Sequence, residues 1–183
     1  MSSKTDIKDR HYLKHLEEIK EAYKESKDWD EVLNTVVYID VDVAQEAFID
    51  YVEEVYKTKV KDSKHLQKLT GCKEYGDTEK VKLQDTINSA RYSKYFTALE
   101  RALERGATYP ELLKIKPKEY GLPEKWSNTL GKDQYTTTLW AISFSYLINE
   151  PAGLSLLPDL RSIAEEIKAP YSVLMDAYKL TNY

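Results

Sequence analysis

DWDEVLNTVVYIDVDVAQEAFIDYVEEVY, residues 28–56, decides the fold class. Read at a period of 3.6, it places Trp29, Leu33, Val37, Ala44, Ala47, Phe48, Tyr51 and Val55 on one apolar stripe. Read at a period of two, the β-branched run 36–43 alternates near its end, as a half-buried strand would. The helical reading is preferred, because the stripe continues on both sides of that run and no turn residue interrupts it. Asp28 suits an N-cap, and Asp30 and Glu31 suit the positive end of a helix macrodipole. An unbroken helix here would be about 40 Å long.

The same period recurs outward from this segment. Residues 5–26 carry Tyr12, Leu16, Ile19 and Tyr23 on one face. Residues 77–105 carry Val81, Tyr92, Tyr95, Phe96, Leu99, Ala102 and Leu103, and end in Arg101, Arg105 and Gly106, a C-terminal signature. Residues 132–149 are apolar nearly all round at their centre, as a helix in the middle of a core would be. Pro158 and Pro170 each open a short C-terminal helix. Residues 57–77 and 106–131 read as connectors. The first holds a short helix near 63–69 with Gly71 and Gly76 as stops, and the second holds one opened by Pro110. The expected fold is all-α: a single domain over 1–183, an antiparallel helical bundle of about four long helices plus short C-terminal helices.

Composition narrows the function classes. Six glycines and six prolines are too few for a turn-rich all-β protein. A formal net charge of -4 argues against a free-standing nucleic-acid binder. One cysteine, Cys72, excludes an internal disulfide and a cysteine-only zinc site, and fits a cytoplasmic setting. Residues 1–10 lack the pattern of a signal peptide, and the apolar run 139–148 is far short of the roughly 20 residues that span a bilayer. Lysine outnumbers arginine 22 to 5 and glutamate reaches 18, a bias found in thermophile proteins and also produced by AT-rich coding. The 15 tyrosines are spread over all the helices, which favours core edges over one interface patch.

Charge is segregated along the chain. Residues 28–54 hold nine carboxylates and no lysine or arginine. On a helical projection Asp42, Glu46, Asp50, Glu53 and Glu54 point outward as an acidic interaction face. Lys57, Lys59, Lys61, Lys64 and Lys68 follow as a basic patch. Such segregation points to charge-guided assembly with a protein partner or by self-association. The lysines could instead follow a nucleic-acid backbone, although lysine lacks the bidentate fork of arginine. The plainest reading is a surface that neutralises the acidic helix within the same molecule.

Three further groups stand out. Asp40 falls inside the apolar stripe, and Asp85 and Asn88 fall on the face of Val81 and Tyr92. They read as a buried polar network in preference to a metal or acid–base site, because the Glu-x-x-His pairs of dimetal bundles are absent. His11 and His15, spaced i,i+4 with Glu18 following, have metal-ligand spacing but lie between lysines, without a His-Glu-x-x-His pattern. Finally, there is no P-loop, dinucleotide fingerprint or Gly-x-Ser-x-Gly elbow. No catalytic residue and no cofactor is assigned. The expected function is a non-enzymatic α-helical interaction protein, a subunit of a larger complex or a homo-oligomer. A nucleoprotein subunit and a metal-dependent helical-bundle enzyme are the alternatives.

Overall fold

The helical period carries through to the structure. The computed structural model describes residues 4–35, 41–72, 76–123, 133–148 and 159–181; about 80% of these described residues are helical, and no strand occurs among them. The fold class is therefore all-α. The elements are α1 (Lys4–Ser26), α2 (Trp29–Thr35), α3 (Val41–Tyr56), α4 (Ser63–Thr70), α5 (Gly76–Glu104) and α6 (Tyr109–Leu112), then a 3-10 turn (Pro117–Tyr120). They are followed by α7 (Gln134–Ile142), which runs into a π-helical turn (Ser143–Leu147), then α8 (Leu160–Ile167) and α9 (Tyr171–Leu180).

The deciding segment is helical on both sides of residues 36–40, which lie outside the described residues. Positions 41–43, the end of the β-branched run, belong to α3. Local chemistry sets the helix ends. Asp28, Asp62, Asp133 and Asp159 accept the N–H groups of Asp30, His65, Thr136 and Ser162 at 3.0, 2.8, 2.7 and 3.1 Å, which satisfies donors that the first turn leaves free. Gly106 closes α5 at φ 87°, as the Arg101–Arg105–Gly106 signature implies. Gly76, expected as a stop, is instead the first residue of α5.

The chain divides into two compact units, and the boundary falls inside α5 between Lys94 and Tyr95. The unit Asp6–Lys94 is built around α3. Ala44, Ala47, Phe48 and Val52 are at most 1% exposed, and they pack with Ile19, Trp29, Val32, Leu33, Leu66, Leu83 and Ile87. Each large apolar side chain buried there contributes about 1.5–3 kcal/mol. Positions 44–49 of α3 are buried without a break, so this helix is enclosed on more than the one face its stripe suggests. Val55, read as inward, is exposed. In α5, Leu83, Ile87 and Ala90 face the core. The helix is thus rotated from the projection that put Asp85 and Asn88 on the buried face; both are only half-buried.

Tyrosine's amphipathic ring explains its abundance in this unit. Tyr23 stacks on Trp29 at 4.0 Å, while Tyr51 and Tyr56 tilt against the same indole. The Trp29 Nε1–H donates to the Tyr56 hydroxyl at 2.9 Å, so these two polar tips satisfy each other at the edge of the core.

The second unit comprises Met1–Thr5 and Tyr95–Tyr183. Its buried residues include Tyr95, Leu99, Leu112, Leu139, Ile142, Ile167, Leu174 and Ala177. Helix α9 packs on both α7 and α8. The hydroxyl of Ser143 reaches the carbonyl oxygens of Leu139 and Ala177, both at 2.9 Å, where α7 gives way to the π turn. The fully buried Tyr95 donates to the Ile115 carbonyl at 3.0 Å, and burial raises its phenol well above the ordinary tyrosine value.

Candidate interaction surface

The carboxylates of α3 are one turn apart, and α1 and α5 each bring donors to them. Glu46 is 7% exposed, and its Oε2 accepts from Lys8 Nζ of α1 and from Ser93 Oγ of α5, both at 2.7 Å. One turn on, Asp50 accepts from the Tyr12 hydroxyl at 2.8 Å on Oδ2 and from Lys94 Nζ at 2.8 Å on Oδ1. Glu53 accepts the N–H of Val60 at 2.8 Å and lies 3.7 Å from Lys59 Nζ, and Glu54 lies 3.9 Å from Lys20. Asp42 is half-buried.

The electrostatics follow from this layering. Burial, the Asp50 hydrogen bond and the nearby charges of Asp50, Glu46 and Glu54 push the Tyr12 phenol well above its ordinary value. At Lys94 burial opposes the charge, but the hydrogen bond and charge of Asp50, with Glu46 and Glu53, outweigh it and raise the ammonium pKa. The outward projection of the acidic face is thus corrected at its centre. Glu46 is buried, Asp50 and Glu53 are half-buried, and only Glu54 is exposed. Lys8, Tyr12, Ser93 and Lys94 are the residues that sequence reasoning missed. The signal was present in outline: Lys8 and Tyr12 repeat the i,i+4 spacing of Glu46 and Asp50.

The basic patch has the opposite character. Lys57, Lys59, Lys61, Lys64 and Lys68 are all exposed. Among the described residues Lys59 alone of the five lies within ion-pair distance of a carboxylate, and its side chain is 87% exposed. The backbone that carries them is fixed from several directions. Glu53 holds the Val60 N–H, His65 Nδ1 accepts the Lys61 N–H at 3.1 Å, and Arg91 Nη2 donates to the Lys61 carbonyl at 3.0 Å. Asp62 caps α4, and Val60 and Leu66 anchor the segment in the core. At the start of this edge lies a groove of about 610 Å³, lined by Tyr12, Asp50, Glu53, Glu54, Lys57, Thr58, Lys59 and Lys94.

The other sequence-derived candidates do not assemble into a site. Asp40 lies outside the described residues. Burial raises the Asp85 carboxyl above its ordinary value, and Asn88 accepts from Gln84 of its own helix at 3.1 Å. His15 lies 3.8 Å from Glu18, while His65 is engaged at the Lys61 backbone. Among the described residues no three His, Cys, Asp or Glu side chains gather closely enough to hold a metal ion. Cys72 is 2% exposed, and burial, against the opposing Thr70 hydroxyl, pushes its thiol up to about 11. No described helix is long and apolar enough to cross a membrane.

No family model matches this chain, and neither a curated protein nor a solved structure is detectably similar to it.

Proposed function

We propose that this chain is a non-enzymatic α-helical interaction protein, a subunit of a larger assembly or a homo-oligomer, and that its contact surface is the edge formed by Lys57, Lys59, Lys61, Lys64 and Lys68. One contrast carries the reading. The central carboxylates of α3 are engaged by Lys8, Ser93, Tyr12 and Lys94, whereas the five lysines stand in solvent on a hydrogen-bonded loop and helix. Five exposed ammonium groups on one segment suit an anionic surface. Fixing the backbone beforehand lowers the entropy lost when such a surface docks. A cytoplasmic setting goes with this reading, supported by a single cysteine that can form no internal disulfide.

The test is light scattering after size exclusion at low and high salt, with the absorbance ratio recorded in the same run. The protein is compared with a variant carrying alanine at all five lysine positions. The expected result is a salt-sensitive oligomer or a co-purifying anionic partner that the variant loses. A bare monomer at both salts, indistinguishable from the variant, would remove the proposal.

A further inference from the structure

We infer that His65 is a proton-operated latch on the lysine edge. Neutral, it fastens the backbone of Lys61; protonated, it lets go and joins the five lysines as a further cation. The inference rests on the lysine edge being the contact surface, and it concerns how that surface is regulated.

The latch is built at the entry to α4. Asp62, the N-cap, accepts the N–H of His65 at 2.8 Å. His65 reaches back in turn, and its Nδ1 accepts the N–H of Lys61 at 3.1 Å. The exchange is that of a capping box displaced by one residue. A capping box ordinarily places glutamate or glutamine at this third helical position, and a carboxylate or amide oxygen accepts throughout the neutral range. An imidazole accepts at Nδ1 only while that nitrogen is bare and the proton sits on Nε2. A second proton turns both nitrogens into donors. The Lys61 N–H then faces another N–H, and the ring has to turn away.

The surroundings confine the change. Val60 is fixed by its buried side chain and by Glu53 of α3, which accepts its N–H at 2.8 Å. Arg91 of α5 donates to the Lys61 carbonyl at 3.0 Å. Neither contact runs through the imidazole. The charged groups about the ring are Lys61, Asp62, Lys64 and Lys68 on its own segment, Glu53 from α3 and Arg91 from α5. Lys64 adjoins His65, Lys68 lies one turn further along α4, and Lys61 is the residue the ring holds. These three lysines are exposed, and His65 itself is half-buried. A proton on His65 therefore adds positive charge to the face that the lysines offer to an anion. By linkage, a docked anionic surface and that proton favour one another.

The experiment is NMR on the isotope-labelled chain from pH 8 to pH 5, the range in which histidine changes charge. The shifts of the ring nitrogens report which of them carries the proton. Saturation transfer from water reports the exchange of the Lys61 amide, with Val60 as the internal reference. The expected result is a bare Nδ1 at high pH. The Lys61 rate relative to Val60 should then rise roughly three- to tenfold through the ring's own titration, the worth of one net hydrogen bond. In His65→Asn the side-chain oxygen takes the place of Nδ1 without titrating, so the ratio should stay flat; far-UV circular dichroism checks that the fold is kept. A neutral ring with its proton on Nδ1, a Lys61 rate that ignores the ring, or the same rise in His65→Asn would each overturn the latch. Light scattering at the two ends of the range tests its use. Assembly should strengthen toward pH 5 in the unaltered chain and lose that dependence in His65→Asn; an equal dependence in both overturns the regulatory role. The NMR arm needs no partner, so its failure leaves the lysine edge standing. Absence of assembly in light scattering removes the edge, and the regulatory role with it, whatever the ring does.

Discussion

Replacing Glu46 with alanine should be the most damaging single change to the polar layer of the first unit. Its side chain is 9% exposed and its Oε2 takes two short hydrogen bonds, from Lys8 and from Ser93. Truncation strands the Lys8 ammonium, whose side chain is 15% exposed, and takes an acceptor from Ser93. Removing one partner of a buried pair costs about 3–5 kcal/mol. Lys8 sits on a flexible stem that can swing toward water, so the lower end, about 3 kcal/mol, is expected. Asp50→Ala is the matched control. Its partner Lys94 is 39% exposed and its own side chain 26%, so screening leaves about 1–2 kcal/mol for the two hydrogen bonds together. Urea unfolding followed by circular dichroism gives both values. A double-mutant cycle should then show a coupling of about 2 kcal/mol for Lys8 with Glu46 and under about 1 kcal/mol for Lys94 with Asp50. High salt should weaken the second coupling and leave the first nearly unchanged. A Glu46→Ala variant no less stable than Asp50→Ala, with negligible Lys8 coupling, would refute the claim that this carboxylate is enclosed by α1 and α5.

Three other outcomes are expected. Cys72 should resist thiol reagents at neutral pH in the folded protein and react at once in urea, because it is 2% exposed and its thiol is held up at about 11; rapid native labelling would show the site to be open. Stability should be flat near neutrality and fall above about pH 10, the unfolded tyrosine value. Tyr12, Tyr95 and Lys94 all have raised folded values, so their contribution is complete below the unfolded values and is lost as pH rises through the folded ones. Tyrosinate absorbance that reaches the value for all 15 tyrosines without unfolding would contradict that. Lys168 closes α8 in the left-handed region at φ 55°, so Lys168→Gly should raise the thermal midpoint, by about 0.5–1 kcal/mol of relieved strain, whereas Gly106→Ala should lower it. A fall on Lys168→Gly would mean that the lysine charge at the helix end outweighs its backbone strain.

The helices were legible because apolar spacing is a local property of the chain. The burial of α3 was not. Glu46 reads as a surface residue, and the donors that make it tolerable inside lie 38 and 47 positions away. The rotation of α5 was hidden for a related reason. Its buried positions include Thr86, Ser89, Ser93 and Thr97, small hydroxyl side chains that blur the apolar period. The exposure of the lysines was readable, since an unpaired ammonium stays in water. The anchoring of their loop was not, because the Arg91 contact to the Lys61 carbonyl spans 30 positions.

The hydroxyl stripe of α5 leaves its alignment against α3 undecided at Glu46. Ser89, Ser93 and Thr97 recur one turn apart, so a hydroxyl would meet Glu46 even if α5 slid by a full turn in either direction. The residues that follow them are Ala90, Lys94 and Ala98, and only the middle one carries a charge for Asp50. Sliding would keep the contact at Glu46 and abolish the one at Asp50. The weaker, more exposed ion pair therefore distinguishes, together with the core packing of Leu83, Ile87 and Ala90, one register among three that the buried carboxylate alone leaves nearly equivalent.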